Sequence, residues 1–381
     1  MFLSNLKEAK TKFNEYLPKT SKYYSNKRNY SFDIENQTTT TSNISPYIRY
    51  RLISEEDVIK KILSTHSFSN AEKFIQEIYW RTYWKGWLEH RENVYDDYLN
   101  DRDLLLKNLK NDRLYKKVIN AETKINFFND WVIKLKNNGY LHNHERMWFA
   151  SIWIFTLNLP WQLGAEFFMK HLFDGDSASN TLGWRWVAGI QTKGKHYLAS
   201  EWNIRKFSNN RFNKIKLNEN ADSKFDEKNY KILNKNFKNK PITEKKILLI
   251  FENNLNFENS DFKNEKFKKI LLVSNENDTR NIKLSRKNLD FKNLLMDDQK
   301  KRLDEKSIYC EKINITEIKY INESMFALYP SIGENLDYIN SQKLTNIEYL
   351  YRKVDQFSWK YCNKGFFNFK NYIPKIIKEF I

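Results

Sequence analysis

Cysteine is scarce in this sequence, where only Cys310 and Cys362 occur among 381 residues. Two thiols are too few for a four-cysteine iron–sulfur cluster, and they suit a reduced cytosol. The sequence also has no apolar run close to the roughly 18 residues that a membrane span needs, and its first residues, MFLSNLKEAK, contain no apolar signal core. We therefore expect a soluble, cytoplasmic protein that has no membrane partner.

Acidic residues are too few to balance the basic ones, since 47 Asp and Glu face 65 Lys and Arg and leave a formal net charge of +18. A surplus of this size indicates a polyanionic partner, with nucleic acid as the first candidate and an anionic membrane surface as the second. General basicity that keeps the protein soluble is the simpler interpretation. A hydrophobic content of 40% argues against a disordered chain, and the length allows two domains.

Glycine-rich nucleotide motifs are missing from the last part of the sequence, which otherwise has the pattern of an α/β domain. The runs KILLIFE and KKILLVSN are continuous apolar stretches of the kind that forms buried parallel strands. None of the helices here begins with GxGxxG, or with GxxxxGK followed by Ser or Thr, so these nucleotide-binding fingerprints are excluded. We predict a Rossmann-like parallel sheet over residues 246–381. Helices alternate with strands in it, and the strands after the two apolar runs are placed at 308–315, 318–321 and 347–352.

The earlier part of the sequence has helical periodicity instead. We predict an all-helical domain over residues 1–208, joined to the sheet by a polar linker over 209–245. The stretch KINFFNDWVIKLKNNGYLHN is an amphipathic helix that ends at Gly139. Residues 91–120 have the composition of a charged, solvated connector with a helical centre. The fold class is therefore α plus α/β.

One short window, from Leu141 to Trp186, concentrates aromatic and polar chemistry. It contains five tryptophans, a DGD turn and an SNTLGW loop, which ordinary hydrophobic cores do not combine. A second polar feature is the turn TTTTSNISP, where hydroxyl groups precede a helix. Such hydroxyls, together with the free N–H groups of a helix start, form an anion-binding turn, although an ordinary helix N-cap is the more frequent explanation of the pattern.

The motifs of this window resemble the FAD-binding helical domain of the DNA photolyase/cryptochrome family. The resemblance includes LHNHERM, LPWQLGAEFF, FDGDSASNTLGWRW, FIQEIYWR and TSNISPY, and so covers residues 30–205. In that family an α/β antenna domain comes first, whereas the α/β pattern comes last here. ILLIFENNLNFEN resembles the opening strand of the antenna domain, which implies a circular permutation. An unrelated flavodoxin-like domain is the alternative.

The resemblance implies FAD as the cofactor and assigns residues to it, while a second, antenna chromophore stays unassigned. The TSNISP turn and a nearby tyrosine match phosphate contacts. The DGD pair and two arginines match contacts to the flavin and ribose, with Arg146 as the partner of Asp174. One asparagine faces flavin N5, and one glycine lets the ring approach. The assigned residues are Tyr30, Thr41, Ser42, Ser45, Arg81, Asn143, Arg146, Asp174, Asp176, Asn180 and Gly183.

The resemblance also implies a substrate. Glu77 and Trp80 match the carboxylate that bonds a thymine and the tryptophan that stacks on the lesion. Asn143 and Met147 match two further pocket positions, and His144 replaces an arginine near a DNA phosphate. Enzymes of the (6-4) type have histidines at the two pocket positions, so cyclobutane pyrimidine dimers are favoured. The implied enzyme is a monomer that binds UV-damaged DNA without sequence preference and, in light, splits the flipped-out dimer by electron transfer from reduced FAD.

An electron relay carries over only in part. Trp184 and Trp161 match its inner and middle members, so that these two, with Glu77 and Asn180, form the implied catalytic set. The outermost tryptophan has no counterpart, because residues 88–130 contain no tryptophan. Three aromatic residues are candidates for its place: Tyr98, Tyr115 and Trp153.

Physical chemistry allows these roles but also plainer ones. A flipped dimer needs an aromatic platform, worth about 1–3 kcal/mol per stacked base, and a Glu77 kept protonated by burial would donate to a thymine carbonyl. Glu77 is otherwise a salt-bridged surface carboxylate, and the tryptophans are otherwise core. His142 and His144 form an HxH pair that diverges on a helix without a third ligand, so we expect no metal. A cryptochrome-like blue-light sensor without repair, and a basic flavoprotein that only binds nucleic acid, remain as alternative functions.

Overall fold

The computed structural model describes residues 2–31, 40–192, 194–212, 216–222, 225 and 228–381. The first part of the chain is helical, as predicted. Its ninth helix continues into a π-helical turn at Ile152–Thr156. The α-helices are α1 (Leu6–Tyr16), α2 (Lys22–Lys27), α3 (Ser45–Arg49), α4 (Glu55–Leu63), α5 (Phe68–Glu89), α6 (Asn93–Leu109), α7 (Arg113–Ile119), α8 (Asn126–Asn138), α9 (Asn143–Ser151), α10 (Trp161–His171), α11 (Ser177–Val187) and α12 (Glu201–Phe207).

Local sequence signals explain where several of these helices begin and end. The Ser54 side chain accepts from the Asp57 N–H while the Asp57 carboxylate accepts from the Ser54 N–H, which forms a capping box at the start of α4. Ser67 caps α5 in the same manner through the N–H of Asn70. Gly139 ends α8 in the left-handed conformation with φ +64, which confirms the predicted stop.

The helical centre predicted for residues 91–120 is confirmed by α6 and α7, but the prediction that this segment is a solvated connector is wrong. Tyr95 and Tyr98 of α6 are almost fully buried. The ring of Tyr98 stacks on Trp161 of α10, with centroids 5.5 Å apart. The many charges of the segment hid these two inward-facing aromatics, which make α6 part of the helical core.

A parallel sheet follows from Ile247 onward, which confirms the α/β prediction. Its strands run in the order β3-β2-β1-β4-β5, and all the pairs are parallel. Leu248 and Ile250 contribute to one hydrophobic cluster and Leu249 and Phe251 to another, so β1 is buried on both faces. The elements are β1 (Ile247–Phe251), β2 (Lys269–Ser274), α13 (Arg286–Asp304), β3 (Cys310–Asn314), β4 (Met325–Leu328), α14 (Glu334–Ser341), β5 (Ile347–Leu350), α15 (Lys353–Ser358), α16 (Phe366–Lys370) and α17 (Ile373–Phe380).

One predicted strand is wrong. Residues 318–321 lie in and just after a 3-10 helix, Ile315–Tyr320, and β4 comes later. Asn314 accepts from the Thr316 N–H and its own N–H donates to Glu317, so a helical cap starts where a strand was expected. The short MFAL run of β4 was overlooked because four apolar residues alone are a weak strand signal.

The helical region and the sheet share one hydrophobic core, which includes Phe74 of α5 and Phe291 of α13. Backbone hydrogen bonds also join them, from the Leu255 N–H to the Tyr50 carbonyl at 2.9 Å and from the Ser285 N–H to the Lys170 carbonyl at 2.8 Å. The carboxyl ends of the strands therefore face the helices. In the part of the chain that the structure describes, no helix has the length and apolar character of a bilayer span.

Candidate functional site

A buried ion pair forms the centre of the candidate site. Arg146 of α9 donates from both terminal nitrogens to Asp174, at 3.0 and 2.9 Å, and its Nε donates to the Leu141 carbonyl. The Ser45 hydroxyl at the start of α3 donates to the same carboxylate at 2.5 Å. Burial alone would raise the pKa of Asp174, but the charge of Arg146 holds it below its ordinary value. The predicted partnership of Arg146 and Asp174 is therefore present as a bidentate pair.

The second aspartate of the DGD turn lies among three cations. Lys85, Arg49 and Arg81 approach the Asp176 carboxylate at 3.5, 3.7 and 3.8 Å. Asp176 also caps α11 by accepting from the Ser179 N–H at 2.9 Å. Although burial opposes it, the nearby cations lower the pKa of Asp176 far below its usual value. Within this cluster the three cations exceed the one carboxylate, which favours an anionic ligand at Asp176, although Glu89, Glu252 and Glu334 line the cleft beside it.

Arg49 and Lys85 were not predicted as site residues. Each lies one helical turn after a predicted site residue, since Arg49 follows Ser45 and Lys85 follows Arg81 by four positions. That spacing was a usable signal, because residues four apart share a helix face. Burial lowers the pKa of the Lys85 ammonium to about 8, even though Asp176 opposes the shift.

Two features of the site fit a bound FAD. A Cβ built on Gly183 would meet no atom within 4 Å, so one side of α11 is open at this residue. Nη1 of Arg81 is buried and has no hydrogen-bond partner among the described residues. Asn180, one turn before Gly183, donates from Nδ2 to the Ala165 carbonyl at 2.8 Å, which fixes the orientation of its amide. An open helix side and a buried guanidinium nitrogen without a hydrogen bond suit a flat, anionic cofactor.

The side chains of the predicted phosphate-binding turn do not all point toward one place. Thr41 donates to the side chain of Asn43, which adopts a left-handed conformation with φ +53. The Ser45 hydroxyl is directed to Asp174 rather than outward. Ser42 is partly exposed and stays a prediction as a phosphate contact. The Tyr30 ring packs edge-on against Phe207 of α12, with centroids 5.1 Å apart.

The two lesion-contact residues of α5 are engaged with neighbours. The Glu77 carboxylate lies 2.8 Å from the Lys73 ammonium and 3.4 Å from the Arg28 guanidinium. The Trp80 ring stacks on Phe366 of α16, with centroids 3.6 Å apart and an interplanar angle of 10°. Both side chains remain partly exposed. Glu77 thus occupies the salt-bridged arrangement that the sequence left open.

Three residues of α9 were predicted to contact the substrate, and two of them reach the surface. Asn143 is exposed and Met147 is partly exposed, and they lie on one face with Nδ2 and Sδ 4.0 Å apart. His144 is buried, its ring stacked on Trp148 at 4.2 Å and its Nδ1 in contact with the Asn29 carbonyl at 2.8 Å. Burial also lowers the pKa of His144, which favours the neutral ring. This placement corrects the prediction that His144 lies near a DNA phosphate.

In the HxH pair, His142 caps a helix. Its Nδ1 accepts from the His144 N–H at 3.1 Å, and its own N–H donates to Glu145, so it caps α9. The two imidazoles therefore have separate structural roles. Within the described ranges, no group of three or more His, Cys, Asp and Glu residues is placed to hold a metal ion.

The aromatic residues of the predicted relay form two branches. Trp184 meets Trp153 edge to face at 6.1 Å, and Trp153 in turn meets Tyr115 at 6.2 Å. Trp161 stacks instead on Tyr98. All five rings are buried. Trp153 and Tyr115 therefore continue from Trp184, whereas Tyr98 continues from Trp161.

A charged cleft of about 490 Å³ lies beside Asp176, between the helices and the carboxyl ends of β1 and β4. These two strands flank the point where the strand order reverses, the usual ligand position in open α/β sheets. A Cβ on Gly333 would come within 2.2 Å of the Ser177 Oγ, so glycine is required where the sheet region touches α11. The charged residues that line the cleft are Arg49, Lys85, Glu89, Asp176, Glu252, Arg280 and Glu334.

Comparison with known proteins assigns the helical region. Residues 74–227 match the family model of the FAD binding domain of DNA photolyase. This part of the chain is therefore similar to the FAD binding domain of DNA photolyases. The match contains α9, α10, α11 and all of α5 after its first turns, and thus every predicted site residue outside Tyr30 and the TSNISP turn.

Individual relatives are similar over a limited length. A deoxyribodipyrimidine photo-lyase of Alkalihalophilus pseudofirmus is 30% identical over 168 residues, which cover 42% of this chain and 33% of the relative. The crystal structure of a bacterial class III photolyase from Agrobacterium tumefaciens has a TM-score of 0.43 at 23% identity and covers 54% of this chain and 43% of that one. For a cryptochrome of Synechocystis the TM-score is 0.45 at 21% identity, covering 54% and 44%. The chain spans about a third of the length of the curated relatives it matches.

Proposed function

We propose that the chain is a photolyase that binds FAD and uses light to split cyclobutane pyrimidine dimers in DNA. The observation that carries the proposal is the cluster of charged residues around Asp174 and Asp176, here called the cradle, together with the open side of α11. Arg146 and Asp174 pair at its centre, three cations surround Asp176, and α11 is open at Gly183. The family match over residues 74–227 supports the same cofactor.

The residues of the cradle have separate tasks in this proposal. Arg81 and Arg49 bind the anionic part of FAD, because their charges exceed what Asp176 neutralises. Asn180, held by the Ala165 carbonyl, presents its amide to the flavin ring. Asp174 keeps Arg146 in place. Bound FAD in its reduced state supplies the light-driven electron that the protein side chains cannot provide.

DNA binds the surface near the amino-terminal half of α5 and the outward face of α9. The dimer leaves the base stack, as photolyase substrates do, and Trp80 offers it an aromatic surface. Asn143 and Met147 contact it from α9, where they are accessible. The net charge of +18 holds the phosphate backbone without reading sequence. The chain acts on DNA as a monomer.

A second candidate, a cryptochrome-like light sensor without repair, is favoured by one observation. Glu77 pairs with Lys73 and Arg28, and these two cations occupy the carboxylate that would otherwise contact a thymine. Repair therefore requires that DNA binding separates Glu77 from these cations. The sensor needs no such rearrangement.

One experiment separates the two candidates. The full chain is loaded with FAD, reduced, mixed with oligothymidine that contains dimers, and illuminated with blue light. Loss of dimers, measured by chromatography, supports repair. Stable binding of reduced FAD without any loss of dimers would reject the photolyase and favour the sensor. Failure to bind FAD at all would reject both.

A further inference from the structure

The end of the chain lies along α5, the helix that carries Glu77, Trp80 and Arg81. The Tyr83 hydroxyl donates to the Lys364 carbonyl at 2.9 Å, and Arg91 donates to the Asn363 carbonyl at 2.7 Å. A Cβ on Gly86 would come within 2.5 Å of Trp359, so glycine allows this close approach. Residues 359–370, here called the C-terminal aromatic segment, are therefore docked on the helical region rather than on the sheet alone.

Within this segment, two adjacent phenylalanines face in opposite directions. Phe366 is 5% exposed and covers one face of Trp80. Phe367 is 80% exposed, although its ring centroid is only 6.2 Å from that of Phe366. An aromatic ring open to solvent thus stands next to the tryptophan that the proposed function assigns to the lesion.

The sequence around Phe367 is basic. Residues 353–381 contain six lysines against two acids, Asp355 and Glu379. Lys360 and Lys364 of the aromatic segment are exposed. Exposed aromatic rings interleaved with cations are typical of surfaces that bind single-stranded nucleic acid, since bases stack on the rings and phosphates contact the cations. Charge complementarity therefore favours a nucleic acid over a protein partner on this surface.

We propose that the C-terminal aromatic segment extends the DNA-binding surface of the helical region. Phe367 stacks on an unpaired base beside the dimer, and Lys360 and Lys364 contact phosphates of the same strand. This inference rests on the proposed function, because the lesion position at Trp80 locates the strand. Phe366 is a positioning residue that holds the back of the Trp80 ring.

The test is a binding titration with the full chain and a fluorescently labelled, single-stranded oligothymidine that contains one dimer. Phe367→Ala should weaken binding roughly 5- to 150-fold, the loss expected for one stacked base. Phe367→Trp should restore it. Lys364→Ala should lower the slope of log Kd against log salt by about one, as expected for one lost phosphate contact. Thermal unfolding of each variant verifies the fold.

Tyr320 provides a matched control. It is 74% exposed and has the Lys319 ammonium 5.0 Å from its ring centroid. It lies near the amino-terminal end of β5, because the next residue, Ile321, accepts from Asn346 just before β5 begins, whereas the C-terminal aromatic segment comes after the carboxyl end of that strand. Tyr320→Ala should bind DNA as the unaltered chain does.

The outcomes distinguish this inference from the proposed function. Equal binding by Phe367→Ala and the unaltered chain, or equal losses in Phe367→Ala and Tyr320→Ala, would overturn the inference while leaving repair intact. Selective loss in Phe367→Ala supports the inference even if illumination leaves the dimers unchanged, in which case only the repair activity is rejected.

Discussion

The Tyr329 hydroxyl donates a 2.8 Å hydrogen bond to the buried carboxylate of Glu89. The bond joins the loop after β4 to the last turn of α5, and the Ile332 N–H donates to the other carboxylate oxygen at 3.0 Å. Lys235 lies 3.9 Å away. Burial nevertheless outweighs these partners and raises the pKa of Glu89 to about 7.

A pH dependence of stability follows from this raised pKa. Between pH 4.5, the ordinary value for glutamate, and about 7, the folded chain binds more protons than the unfolded one. The contribution of Glu89 to the free energy of unfolding is therefore greatest below pH 4.5. It falls by at most about 3 kcal/mol as the pH rises to 7. Urea unfolding of the unaltered chain and of Glu89→Gln at pH 5 and 7.5 should show a smaller difference between the two pH values in the variant.

Glu92→Gln is the control for Glu89→Gln. It removes a more exposed carboxylate that pairs with the same Lys235, at 2.5 Å. This change should leave the pH dependence as it is in the unaltered chain. If Glu89→Gln also leaves it unchanged, the raised pKa of Glu89 is wrong.

Gly183→Ala should stabilise the flavin-free chain and at the same time weaken FAD binding. A methyl group at this position meets nothing within 4 Å, and alanine is favoured over glycine inside a helix by about 1 kcal/mol. The flavin-free variant should therefore be more stable in chemical denaturation. FAD binding should weaken about tenfold or more, because the methyl group fills the space reserved for the ring.

Gly164→Ala is the opposite case and serves as the comparison. A Cβ there would come within 2.3 Å of the Trp184 ring, so the variant should be less stable by about 1–3 kcal/mol. Unchanged FAD affinity in Gly183→Ala, measured by flavin fluorescence quenching, would show that the flavin lies elsewhere.

Asp174→Ala should lose FAD and stability together. The substitution leaves Arg146, whose side chain is 23% exposed, without its bidentate partner, so the cost should be at most the value of about 3–5 kcal/mol that is typical of a fully buried pair. Asp97→Ala removes a surface carboxylate that pairs with Lys228 at 3.0 Å, so it should cost less than about 1 kcal/mol. Absorbance of the purified proteins gives the flavin content. Normal flavin content in Asp174→Ala would contradict the site assignment.

The two aromatic branches give different expectations for light-driven reduction of the flavin by an external thiol. Trp153→Phe interrupts the branch from Trp184 to Tyr115, whereas Trp161→Phe interrupts the contact with Tyr98. If electrons travel through the first branch, Trp153→Phe should slow the bleaching of flavin absorbance more than Trp161→Phe does. The reverse order would assign the relay to Trp161. Phenylalanine retains most of the ring volume, so both variants should fold.

Sequence patterns predicted the parts of this protein that depend on near neighbours. The apolar runs of β1 and β2, and the glycine stop of α8, are local signals and were confirmed. The pair of Arg146 and Asp174 was predicted because ordered motifs of a known family include both. The cations Arg49 and Lys85 were missed because neither belongs to those motifs. The bond from Tyr83 to Lys364 spans 281 positions, and no local pattern reports a contact of that kind.

The long separation of Tyr83 and Lys364 along the chain also affects folding during translation. The ribosome adds about 5–20 residues per second, so α5 emerges roughly 15–60 s before the residues that cover it. Until then the aromatic face with Tyr79, Tyr83 and Trp80 is open to solvent, because Phe366 and Phe369 have not yet been synthesised. The aromatic face of the nascent α5 therefore lacks its cover until Phe366 and Phe369 are translated.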